Sequence, residues 1–226
     1  MNDDALRKKF LESDPDFAER LERYEDHRRR SSEAAAPVLA DLAAAGVRIE
    51  QFSDLRRPGS ELAKAVSVLV KWLPVLEDRT TKREVARLLG DRRAGDVAAR
   101  ALIDEFRRVD PATDADEMTS IRSAIASALF FGASDSMAHE LAELASERVH
   151  GGHRSLIVLA LGELRKSKAV VVPALVAQLD DDTVASCAVQ ALVKLKATEA
   201  RTDIDALVGH PNKVIRDEAR KAIRKL

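Results

Sequence analysis

Two imidazoles three residues apart, His150 and His153, enclose Gly151-Gly152 and precede Arg154. This is the most enzyme-like spot in the chain. Imidazole is the commonest side-chain metal ligand, and guanidinium is a fork for carboxylate or phosphate, so a metal ion or an anion is the chemistry implied. A closed metal site needs about four ligands. No carboxylate or third histidine is read at ligand spacing, and Gly151-Gly152 reads as a turn between helices, so neither metal nor cofactor is expected. Cys187, the one cysteine, falls among helix-core positions and reads as a small buried hydrophobe. There is no glycine-rich phosphate loop, no defensible Ser-His-Asp order and no multi-cysteine pattern. No catalytic residue is expected, and the chain reads as a non-enzyme.

The elements that must position these side chains come from a repeat. Ala160-Leu161, Ala191-Leu192 and Ala222-Ile223 recur at intervals of 31 residues, and Ala128-Leu129 lies 32 before the first. Ile125, Ile157, Ala188 and Ala219 form one column, and Ile121, His153, Val184 and Ile215 another. Apolar or small residues thus recur at i, i+4, i+7 and i+8, one stripe of an α-helix. Between these helices lie further apolar segments such as Met137 to Leu144, Val172 to Leu179 and Ile204 to Val208, with Pro173 placed as a first-turn proline. Each unit is helix, turn, helix, link, and cannot bury its apolar face alone, so neighbours must stack into a helical solenoid.

Upstream the pattern loosens. Glu61 to Leu76 pairs with Thr80 to Leu89, closed by Gly90, and Asp96 to Arg107 pairs with Thr119 to Phe131. A helix is expected over Ala34 to Ala45. Asp14-Pro15 signals another running to about Arg30. The expectation is an all-α chain: a right-handed α-solenoid of about five HEAT-like helix pairs over residues 34–226, clearest over 119–226, behind an N-terminal capping helix region over residues 1–33.

Composition agrees. Of 226 residues, 46% are hydrophobic and 33% charged, too apolar for a disordered chain. Lys plus Arg is 37 against 38 Asp plus Glu, a net charge of −1, which argues against a dedicated nucleic-acid or membrane-surface binder. No apolar run approaches the roughly 18 residues that span a bilayer. A soluble cytoplasmic protein, monomeric or weakly dimeric, is expected.

The C-terminal units resemble HEAT repeats, in the short bacterial form related to those of bilin lyases. The resemblance is carried by Pro173-Ala174-Leu175, Asp180-Asp181, Ala191 to Leu195, and His210-Pro211-Asn212-Lys213-Val214-Ile215-Arg216 running into Ala222 to Leu226. It implies a superhelix whose second helices line the concave face. It implies no particular activity. Deoxyhypusine-type HEAT hydroxylases repeat a His-Glu pair to hold two irons, but His139-Glu140 occurs once here, so that chemistry lacks its ligands.

Arg122, Arg154 and Arg216 occupy equivalent positions, with Ala185 in the remaining unit. They form either cations on the concave surface or, the preferred reading, a ladder paired with turn carboxylates such as Asp180 and Asp181. Exposed columns on the second helices run Phe131, Glu163, Lys194, Lys225 and Ser127, Leu159, Gln190, Lys221. The connection over residues 109–118 is long and acidic, with Asp114, Asp116 and Glu117. Binding of another protein through the concave face and this loop is the expected function, with Arg122, Arg154, Ser127, Glu163, Gln190, Lys194, Lys221, Lys225, Asp114, Asp116 and Glu117 as contact residues. Nucleic-acid binding, or the chemistry of HEAT-like DNA glycosylases, is the competing class. It needs a continuous positive groove, and Trp72 sits among Leu69, Leu73 and Leu76 as a packing residue. A lyase-like chaperone for a bound cofactor is a third reading by fold analogy.

Overall fold

The computed structural model describes residues 16–114 and 120–226. Asp14-Pro15, Asp116 and Glu117 therefore lie outside the described residues. The fold is all-α, with no strand among the described residues.

A long first helix, α1 (Phe17–Ala44), is followed by five pairs: α2 (Leu62–Trp72) with α3 (Arg79–Leu89), α4 (Gly95–Arg108) with α5 (Ile121–Gly132), α6 (Ala138–Ser146) with α7 (Ser155–Leu161), α8 (Lys168–Val176) with α9 (Ala185–Leu195), and α10 (Arg201–Asp205) with α11 (Lys213–Ile223). Side-chain caps fix several starts by satisfying first-turn N–H groups. Asp78 accepts from the Thr81 N–H at 2.8 Å, Ser120 from Ser123 at 2.9 Å, and Asn212 from Val214 at 2.9 Å. Lys196 ends α9 in the left-handed region at φ 53°.

Three local expectations are corrected. The two helices expected over residues 14–45 are one, because Ser31-Ser32-Glu33 continue the helix and Pro37 is carried inside it. The division drawn between residues 33 and 34 therefore falls within a single helix. Its partner is only a 3₁₀ turn, Phe52–Arg56, that buries Phe52 and Leu55. Pro173 is not in the first turn of α8 but inside it. The hydrogen bond lost there is offset by burial of Val171, Val172 and Leu175 on the same short helix.

Packing is between neighbours. Each odd-numbered helix from α3 to α11 touches the next odd-numbered one, and α2, α4, α6 and α8 touch in the same serial way; α1 lies on α2 and α3. One continuous core runs from Val38 to Ala222. The column Ile125, Ile157, Ala188 and Ala219 is buried, and in that of Ile121, Val184 and Ile215, all buried, His153 is half-buried; the repeated alanines Ala128, Ala160, Ala191 and Ala222 are buried. The small column lets backbones approach. A Cβ on Gly90 would lie 2.5 Å from the Ala128 Cα, and one on Gly162 would lie 2.9 Å from the Ala191 Cα. Among the described residues, no helix is long and apolar enough to cross a membrane.

Candidate functional site

Three of the residues assigned to partner contact are inside the protein. Arg122 and Asp114 are 0% exposed and Arg154 is 1% exposed, so none can meet a partner directly. Arg154 donates to the Ala145 carbonyl at 2.8 Å, to Gln178 at 3.1 Å and to the Asp181 carboxylate, which ties α7 to the following pair. Of the three arginines expected to form a ladder with turn carboxylates, Arg154 alone makes that pairing. Arg216, by contrast, spans its own turn, donating to the His210 and Pro211 carbonyls at 2.6 and 3.0 Å. Asp114 caps α5 from the preceding loop. One of its oxygens accepts from the Ser120 hydroxyl and the Arg122 N–H, the other from the Ile121 N–H and the Arg79 guanidinium. Burial alone would raise its pKa, but these four donors outweigh it and hold the carboxyl below the ordinary range.

Lys82, which sequence reasoning missed, extends the ladder backwards. It sits 40 residues before Arg122, as Leu88-Leu89 sit 40 before Ala128-Leu129, and pairs with the buried Glu105 of α4 at 2.5 Å. The loose upstream spacing hid it.

The Arg122 rung differs from both. The position 31 before Asp181 is His150, and the position 31 before Gln178 is Glu147. Arg122 donates to the His150 Nδ1, while the His150 Nε2–H donates to Glu147 at 2.8 Å. The Arg122 guanidinium lies over the Phe106 ring, 4.8 Å from its centroid, and its Nε and Nη1 have no hydrogen-bond partner. Burial pulls the Arg122 pKa down, opposed by Asp114 and Asp110. Glu147 is thus a carboxylate beside His150 that the ligand-spacing argument overlooked. It is shared with Arg107 at 2.8 Å. His153 faces Ser123, with 3.2 Å between Nδ1 and Oγ. The two histidines point at different partners, and no cluster of three or more metal-ligating side chains occurs among the described residues.

The remaining described residues of the two exposed columns lie on, or just beyond the ends of, the odd-numbered helices. Gln190, Lys194, Lys221 and Lys225 are exposed, and Ser127, Leu159 and Glu163 are half-buried. Lys194 on α9 pairs with Glu163 just beyond α7, so the expected column is a real adjacency there. Phe131, 67% exposed, heads the same column and stacks edge-on against Phe130 with centroids 5.3 Å apart. In the acidic loop, Asp110 to Thr113 are exposed while Asp114 anchors them. Beside the row, a 510 Å³ groove is lined by Ser123, Ala126, Gly152, His153, Ser155 and Leu156.

No family model matches this chain, and no curated protein or solved structure does either.

Proposed function

We propose that the five pairs stack as a right-handed α-solenoid of the HEAT-like kind, and that the odd-numbered helices line its concave face. In this reading the protein is a non-enzymatic, cytoplasmic interaction module, monomeric or weakly dimeric, that binds another protein along the row from Phe131 to Lys225. The observation that carries it is Phe131: a large aromatic side chain left in solvent at the head of a row whose next members, Glu163 and Lys194, are fixed to each other. Exposed aromatic anchors on rigid surfaces are where binding energy concentrates, and a preformed helical surface keeps the ordering cost of association low. The exposed stretch Asp110 to Thr113 supplies a second contact.

The test is capture of partners from the host's lysate on immobilised protein, with nuclease treatment and a salt series. A protein retained after nuclease by the wild type, and lost with Phe131→Glu while melting is unchanged, supports the reading. Recovery of nucleic acid alone, released as salt rises, overturns it.

A further inference from the structure

The joint between α5 and α7 is built unlike its neighbours. At the joint beyond, Arg154 meets a carboxylate, Asp181, and at the earlier rung Lys82 meets Glu105. Here both cross-links end on imidazoles: Arg122 on His150 and Ser123 on His153. Because the His150 Nε2–H is donated to Glu147, its Nδ1 must present a lone pair to Arg122. A second proton can go only on Nδ1, where it faces a guanidinium that cannot release its own. Both groups are buried, so solvent does not screen them.

We infer that the α5–α7 joint is an acid-sensitive hinge: protonation of His150 from solvent breaks its bond to Arg122 and loosens, without dissolving, the packing of α7 and the units beyond it against α5. The groups around His150 leave little relief. From α4 come the Phe106 ring, edge-on at 5.0 Å, and Arg107, which shares Glu147. Glu105 on the same helix is occupied by Lys82 and Arg108. From α6, Glu143 acts on Arg107; from the loop, Asp110 and Asp114 act on Arg122. Arg148 and Arg154, flanking His150, are engaged by Asp180 and Asp181. Burial, then Arg122 and Arg107, hold the imidazole neutral against the pull of Glu147. The orphaned Nε and Nη1 of Arg122 make the closed joint costly already, which suits an element meant to open. The row proposed for partner binding crosses this joint between Phe131 and Glu163, so opening would divide it. That consequence rests on the proposed function; the hinge itself does not.

The test uses free full-length protein and amide hydrogen exchange at about pH 7.5 and about pH 5.5, corrected for intrinsic rates. An imidazole whose pKa is lowered in the closed state and ordinary, near 6.5, in the open one favours opening as pH falls, by at most about tenfold one unit below 6.5. Exchange over residues 121–129 and 155–161 should therefore accelerate relative to 185–195, by at most about tenfold. In His150→Asn, whose amide oxygen takes the Nδ1 position without titrating, the difference should vanish. The pair His150→Asp with Glu147→Gln, which copies Asp181 and Gln178, should abolish it too and serves if the single variant folds poorly. Uniform acceleration in all three segments, no acceleration, persistence in the His150 variants, or disappearance instead in His153→Asn would overturn the hinge. None of these outcomes involves a partner, so the hinge and the interaction reading can fail separately.

Discussion

Two buried arginines at equivalent positions should respond unequally to the same change. Arg154→Met removes the buried partner of Asp181 and Gln178 and leaves Asp181 with Thr183 and the more distant Arg148; about 3 kcal/mol of stability should be lost. Arg122→Met removes a guanidinium two of whose nitrogens are unpartnered and keeps an apolar chain over Phe106. Its cost should be smaller, about 1–3 kcal/mol, since one bond to a neutral imidazole is lost and the buried His150 Nδ1 is left without a donor. Denaturant titration of both variants checks this, and equal losses would show that Arg122 is held as firmly as Arg154. Asp114 gives a pH prediction of definite sign. Its folded pKa lies below the ordinary 3.8, so the stability it contributes is fully present above about pH 4 and is lost as pH falls through the folded value. Asp114→Asn should cost about 2–4 kcal/mol at neutral pH, because the amide nitrogen must face two of the four donors now aimed at the carboxylate. The variant should also lose part of the acid dependence of unfolding.

At the scale of elements, close approach is the sharpest constraint. Gly90→Ala places a methyl against the Ala128 backbone, which cannot rotate away, and should lower stability by about 1–3 kcal/mol. Gly46→Ala meets no neighbouring atom but sits at φ +84°, so its cost is conformational alone and about 1 kcal/mol. A melting series over the two separates steric from backbone effects. The same contrast explains what could be read from sequence. The columns at Ile125 and Ala128 were legible because repetition at 31 and 32 residues reports burial directly. Helix ends were less so: Ser31-Ser32 resembles a boundary, yet α1 runs through it and through Pro37, since tertiary contacts of Val38 and Leu42 hold the helix together. The arginine column showed its spacing but not its depth. Nothing local distinguishes Arg122, stacked on Phe106, from an exposed cation, and the carboxylate of Asp114 reaches α5 from a loop whose acidity suggests a surface. Lys194 and Glu163 were placed in one column and do meet.

The whole molecule is a serial object in which each pair of helices contacts its neighbours and little else. If the pairs stack as the proposed solenoid, stability is close to a sum of unit terms and interface terms. Ala191→Asp injects a charge into a column that is alanine in four units and fully buried here. It should disrupt both α9 and its contact with Gly162, while upstream helices keep protection in hydrogen exchange. Removing residues 201–226 tests the same property at an interface. Ala188 and Leu192 are buried, and α9 packs on α11; without that cover an apolar face opens to water at about 25 cal/mol per Å². The truncated chain should keep the helical signal of the units before residue 200 and yet self-associate, seen as larger species in sedimentation and as binding of a hydrophobic dye. A truncated chain that stays monomeric and melts as the wild type does would mean that the last pair is an appendage, with the interfaces upstream of it sufficient on their own.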